Sequence, residues 1–324
     1  MESNKQNADR FKEKTTSFIR QLAENSKPVA DMYFFDPLSE NIPINLNRDI
    51  LLEKVNSPVK GLVHKFPNSV AVFLSYTCVA NCRYCERQDR VGVGIDKQGL
   101  LGNLEIDKIL EYIKQNPGIR EVVLTGGDPL MNPRGLEYFC AKAESISSIK
   151  ALRIHTKLPI QAPDLTNLEL LSKIVNTKEV FYLSIHINHP DELNSVVIDK
   201  LKAIRKLGFI MLSQSVFLKG INDSVDVLNE LYSGLSEIGI RPYYIYHCQA
   251  IPTTRRFVMD LDTEIEIMTE LRKRLPGTAY PTHVIDLQNA VGKVPVPTKF
   301  WQFSLLTVHD FNNKDINLGE YDSF

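Results

Sequence analysis

The feature that most constrains this chain is a recurring alternation that begins at Val70. Short apolar runs rich in β-branched and aromatic residues are followed by amphipathic stretches, at intervals of roughly 30 residues, as repeated βα units require. Strands are predicted at 70–75, 121–125, 151–155, 180–186, 209–217 and 242–247. Between them Ile106, Ile109, Leu110 and Ile113 repeat at helical spacing, as do Leu136, Phe139, Cys140 and Ala143, then Leu201, Ile204 and Leu207, then Leu228, Leu231 and Leu235. Near-continuously apolar strands separated by helices imply a parallel sheet covered on both faces. Six such units predict an α/β fold, a partial (β/α)6 TIM-like barrel whose functional residues gather at the C-terminal strand ends.

Residues 1–68 are polar and broken by Pro28, Pro37, Pro43, Pro58 and Pro67, with a helical stretch around 11–22. They are expected to form a mostly helical N-terminal cap, followed by the barrel over 69–290 and a C-terminal segment over 291–324. A net charge of -1 provides no field to draw the molecule to nucleic acid or an anionic membrane, which leaves small-molecule chemistry. The N-terminus shows no basic-then-apolar signal pattern and no window is apolar enough to span a membrane, so a cytoplasmic location is expected.

Three of the five cysteines fall within eight positions, as Cys78-Val-Ala-Asn-Cys82-Arg-Tyr-Cys85. The crowding and the odd count argue for reduced thiolates that bind metal rather than for disulfides. CxxxCxxC differs from the paired CxxC of zinc ribbons and thioredoxin-like motifs. Three thiolates leave one iron of a four-iron cluster open to a ligand, whereas an electron-transfer ferredoxin uses four. A zinc site completed by a distant histidine is the alternative. Cys140 lies on an apolar helix face and reads as packing; Cys248, at a strand end, stays open.

The triplet resembles the cluster loop of radical S-adenosylmethionine (SAM) enzymes. That resemblance implies a [4Fe-4S] cluster on Cys78, Cys82 and Cys85, with SAM chelated at the open iron and cleaved to a 5′-deoxyadenosyl radical by an electron from a donor such as flavodoxin or ferredoxin. Tyr84 matches an aromatic near adenine, although a ring that only covers the cluster fits as well. Gly126-Gly127-Asp128-Pro129 matches the turn that receives the methionyl amine of SAM, where absent side chains let a ligand reach bare backbone. His186, at the end of a predicted strand, is a further cofactor-binding candidate.

A narrower resemblance rests on motifs in order: Val63-His64-Lys65-Phe66-Pro67, the segment 124–130, His186-Ile-Asn-His189-Pro190, Ser213-Gln214-Ser215-Val216, Gly220-Ile-Asn-Asp223, Arg241-Pro-Tyr-Tyr-Ile-Tyr246 and Gly292-Lys293-Val-Pro295. From about residue 60 to 300 the chain is similar to lysine 2,3-aminomutases. The resemblance implies pyridoxal 5′-phosphate (PLP) held as a Schiff base by Lys293, the catalytic lysine, with Lys65 and Gln214 near its phosphate. Arg87 would pair with the substrate carboxylate. Asp286 and Gln249 would face the substrate side chain.

Departures from the family bear on specificity. Lys65-Phe66 stands where the family has Arg-Tyr, and Ser69 replaces an arginine. Gln249 replaces one of two aspartates that receive the lysine ammonium, so a lysine-like, arginine-like or other polar amino acid is expected rather than lysine alone. Glu86 and Asp89 are unusual beside the triplet. With no cysteine beyond Cys248, the chain resembles the family's short members, among them the enzyme making β-lysine for elongation factor P. The family's C-terminal zinc segment is therefore expected to be absent. A homo-oligomer remains compatible.

Overall fold

The computed structural model describes residues 11–36, 49, 51–88, 90–91, 99–178, 180–251, 254–287, 292–300, 307–309 and 314–317. Asp89, part of the acidic neighbourhood noted above, lies outside them, as does most of 291–324.

One nine-stranded sheet organises the chain, in strictly sequential order. Its strands are β1 Leu62–Phe66, β2 Ser69–Ser75, β3 Glu121–Gly126, β4 Ala151–Thr156, β5 Val180–His186, β6 Ile210–Val216, β7 Arg241–Tyr246, β8 Thr282–Leu287 and β9 Gly292–Pro295. β2 to β8 pair in parallel, while β1 and β9 add antiparallel at the two edges. Helices Asn103–Gln115, Pro133–Ala143, Leu168–Ile174, Ser195–Lys206, Val225–Glu237 and Leu261–Arg274 make the crossovers. This is the expected six-unit partial barrel, extended by a seventh parallel strand. The sheet begins earlier than the expected cap boundary, since β1 already belongs to it.

Sequential parallel strands accumulate twist in one sense, so the sheet curls. The curl brings its edges together: a Cβ placed on Gly292 of β9 would lie 3.7 Å from Phe66 Cε1 of β1. Alternate residues turn to opposite faces. Val70, Val72 and Leu74, Val122 and Leu124, Leu152 and Ile154, and Phe181, Leu183 and Ile185 pack outward against the helices in the main core. Cys140 is wholly buried in that core, as its helix face predicted. The other set, including Phe73, Thr125, Arg153, His155, His186, Gln214 and Tyr246, turns to the concave side.

Two short N-terminal helices, Ser17–Ala23 and Lys27–Tyr33, start where Thr16 and Ser26 accept hydrogen bonds from Ile19 N and Val29 N. They close over the loop that follows β2. Asn81 N donates to Lys14 O at 2.8 Å, Arg83 N to Met32 O at 2.8 Å, and Arg83 Nη1 to Phe11 O at 3.0 Å. No helix among the described residues is long and apolar enough to cross a membrane.

Candidate active site

Cys78, Cys82 and Cys85 sit at the C-terminal mouth of the sheet, on the loop leaving β2. The loop is fixed from both sides: Cys85 N donates to Cys82 O at 3.1 Å, and Lys14 Nζ to Cys78 O at 2.6 Å. Burial pushes all three thiols above their ordinary values, Cys85 to about 12, and the neighbouring cysteines add to the rise at Cys78 and Cys85. Such thiols become thiolates only against a strong positive charge, which a bound iron cluster supplies. Among the described residues no three His, Cys, Asp or Glu side chains converge as ligands of a single metal ion. A cluster asks for a different arrangement, one thiolate on each of three irons.

The Gly126-Gly127 turn meets backbone of its own chain. Gly126 has φ +125°, and a Cβ there would lie 2.1 Å from Ser75 O; one on Gly127 would lie 2.4 Å from Thr77 O. Gly127 N donates to Ser75 O at 2.6 Å and Asp128 N to Thr77 O at 2.9 Å. These glycines are required because the base of the cysteine loop leans on them. Asp128 likewise serves the fold. Its carboxylate accepts from Thr156 Oγ1 (2.7 Å), Lys157 N (2.8 Å), Leu158 N (3.0 Å) and Leu130 N (3.0 Å), and so ties β3 to the end of β4.

Tyr84 turns toward the cysteine loop's interior, edge-on to Phe257 with centroids 6.4 Å apart and 5.8 Å from Lys157 Nζ. Its buried hydroxyl lies beside Cys82. Cys248, left open by sequence, packs with Ala80, Leu218, Ile221 and Phe257 in a satellite core. Two motifs prove to be braces between strand ends: Asn222 Nδ2 donates to Asn188 O and Val216 O, and Asn188 Oδ1 accepts from Val216 N, all at 2.9 Å.

Deeper on the concave face, Gln214 Nε2 and His155 Nε2 are 3.2 Å apart, and the His155 and His186 rings are 5.9 Å apart. Burial first, then the surrounding cations, hold both imidazoles neutral: His186 falls to about 3 and His155 well below its ordinary value. The cations near His155 include Arg153, Lys293 and Arg87, which places the sequence candidates His186, Gln214, Lys293 and Arg87 around one space.

Arg87 projects onto this face above Phe73, 5.0 Å from its ring. Its guanidinium is already held. Nη2 reaches Glu53 Oε1 at 2.9 Å and Nε reaches Oε2 at 3.4 Å, while Nη1 reaches Thr125 Oγ1 at 3.4 Å. Glu53 is 7% exposed; burial opposes its charge, but Arg87 and Arg90 outweigh this and hold it below the usual carboxylate range. Lys65 also acts on Glu53, with its Nζ 6.0 Å from the Phe66 ring. Glu53 lies in no motif.

Lys293 and Asp286 face each other across the β8–β9 pair. Lys293 Nζ is 3.8 Å from Asp286 Oδ2 and 5.7 Å from the Tyr246 ring, while Asp286 Oδ1 is buried without a hydrogen-bond partner. Asp286 thus turns inward. Gln249 spends its amide nitrogen on the Asp286 carbonyl, at 2.5 Å, bracing that strand. Glu86 feels Arg87, Asp286 and Lys293, with burial raising it above the usual carboxylate range.

The radical SAM superfamily profile matches residues 72–231. L-Lysine 2,3-aminomutase of Fusobacterium nucleatum is 30% identical over 318 residues, 93% of this chain and 74% of that enzyme. The chain belongs to the lysine 2,3-aminomutase family. The family's enzyme from Buchnera aphidicola is 35% identical over 245 residues (75% of this chain, 70% of the enzyme), and that from Clostridium subterminale 34% over 249 residues (76% and 59%). The chain therefore spans between 59% and 74% of the length of these relatives. A radical SAM methyltransferase from Sphaerobacter thermophilus shares the fold, with a TM-score of 0.50 at 12% identity over 69% of this chain and 68% of that one.

Family membership implies a four-iron cluster and SAM. The residues fit a cluster: three thiols on one clamped loop, with Gln161 Nε2 donating to Cys82 Sγ at 3.3 Å. The concave face also suits an anionic, polar cofactor, because Arg153 Nε and Ser184 Oγ are buried there without partners, beside Gln214, His155 and Lys293.

Proposed function

We propose that the chain is a radical SAM isomerase that moves an amino group from the α- to the β-carbon of an amino acid with a polar or cationic side chain. The observation that supports this most directly is the placement of Lys293. Its ammonium lies beside the Asp286 carboxylate and over the Tyr246 ring. A lysine poised there suits covalent attachment of PLP, which supplies an imine through which nitrogen migrates and a ring that spreads radical spin.

The chain's own residues would do the rest. Cys78, Cys82 and Cys85 would hold the cluster at which SAM is reduced. Arg153, Gln214 and Lys65 are the donors available to a phosphate. Arg87, fixed on one edge by Glu53 and touching Thr125 Oγ1 through Nη1, has a further Nη1 donor for the substrate carboxylate, a rigid arrangement that favours orientation over strength. His155 and His186 stay neutral and add polarity without charge. Asp286 supplies one carboxylate to the site, and Glu86 adds a second acidic group although Gln249 has replaced one of the family's two aspartates. This charge favours a cationic substrate side chain.

PLP attachment is tested by borohydride reduction of cofactor-loaded protein followed by peptide mass mapping. The cofactor mass is expected on the Lys293 peptide and is expected to vanish in Lys293→Ala. A loaded protein with no reducible linkage at Lys293 would leave a radical SAM enzyme without PLP as the better reading.

A further inference from the structure

Around Cys82 the fold builds a buried polar network that neither cluster ligation nor amino-group migration explains. Gln161 ends a four-residue helical turn, Leu158–Gln161, just beyond β4. It is 2% exposed. Its amide nitrogen donates to Cys82 Sγ and to Tyr33 Oη, each at 3.3 Å. Tyr33 Oη in turn lies 3.5 Å from Glu192 Oε1, which is paired with Lys157 Nζ at 2.6 Å. Glu192 is wholly buried; its other oxygen accepts from Asn188 N and His189 N, at 2.7 and 3.2 Å, which anchors the network to the loop after β5.

Burying a primary amide is costly unless its donors are used. Spending one on a thiol returns little, since thiol sulfur is a weak acceptor. A thiolate bound to iron carries negative charge, and a hydrogen bond to it is charge-assisted. Thr16 Oγ1, which donates to the Gln161 backbone carbonyl at 2.6 Å, holds that residue's backbone from the N-terminal segment. The geometry is thus matched to a ligated Cys82 rather than a free one.

A donor on a ligand sulfur stabilises the reduced cluster, the more negative state, more than the oxidised one, and so raises the reduction potential. We propose that Gln161 is a positioning residue that sets the potential of the cluster through its N–H···S bond to Cys82, easing the electron uptake that precedes SAM cleavage. The proposal rests on the cluster assignment and is independent of PLP and of the amino acid.

The test is a redox titration of reconstituted protein, with SAM and amino acid omitted, followed by the electron paramagnetic resonance signal of the reduced cluster. Gln161→Met keeps the volume and removes the donor; its midpoint is expected below that of the wild type. Gln161→Leu also removes the donor, with a branched apolar side chain, and its midpoint is expected below that of the wild type as well. Equal midpoints in wild type and Gln161→Met, at equal iron and sulfide content, would overturn the proposal. If Gln161→Met binds no cluster, Gln161→Leu decides on the same criterion. Failure of both to bind cluster would also overturn it, because Gln161 would then be a clamp for the loop.

Discussion

Asp128 offers the cleanest quantitative test of how the site is held. Its buried carboxylate receives Thr156 Oγ1 and the N–H groups of Leu130, Lys157 and Leu158, so Asp128→Ala strands up to four donors at the junction of β3 and β4. A buried donor left without an acceptor costs about 1–3 kcal/mol. Leu158 N has a second acceptor in Thr156 Oγ1 at 3.0 Å, and water can enter a truncated site, which brings the expected loss to about 3–5 kcal/mol. Asp128→Asn retains one acceptor oxygen and should lose roughly half as much. Urea denaturation, compared at unchanged slope, measures both. A loss below about 1 kcal/mol in Asp128→Ala would refute the assignment of Asp128 as the tie between these strands.

Two further perturbations follow from the same geometry. Gly126→Ala drives a Cβ into Ser75 O and asks alanine to adopt φ +125°, so the variant should fail to retain iron and sulfide after reconstitution; full cluster content would contradict the role given to that turn. His186 titrates near 3 in the folded chain against an ordinary 6.5, so the unfolded state binds the proton first and stability falls as pH drops through that window; His186→Gln should flatten the loss of urea midpoint between pH 6.5 and 3, and an unchanged slope would count against a neutral, buried His186.

The barrel was legible because its six central strands and four of its crossover helices carry their own periodicity. The helices Leu168–Ile174 and Leu261–Arg274 and the strands β1, β8 and β9 were not. β1 ends in Lys65-Phe66 next to Pro67 and reads as loop; it becomes a strand only by pairing with β2 across a tight turn. β8 and β9 define each other as a hairpin that sets Lys293 against Asp286, a relation fixed by register and invisible to local pattern.

In the site, residue types were readable and partners were not. Arg87 is implied by the family resemblance, whereas Glu53, which holds its guanidinium, is 34 positions away in a segment without a motif. Gly126 and Gly127 are expected to expose backbone to a ligand, and the structure adds a second reason for them: a Cβ at either would meet backbone at Ser75 or Thr77. His155 and Gln161 carried no spacing signal. Their importance comes from tertiary neighbours, Gln214 in one case and Cys82 in the other.

The central claim is that this chain relocates an amino group within one substrate molecule. The most direct measurement incubates reduced, fully reconstituted protein with SAM and, separately, lysine, arginine, ornithine, glutamine and glutamate labelled with nitrogen-15 at the α-amino group, and reads the products by mass spectrometry and NMR. The account predicts a 3-amino product from at least one of them, with the label on the β-carbon and a cationic substrate favoured. Formation of 5′-deoxyadenosine with no labelled β-amino product from any of the five would contradict it.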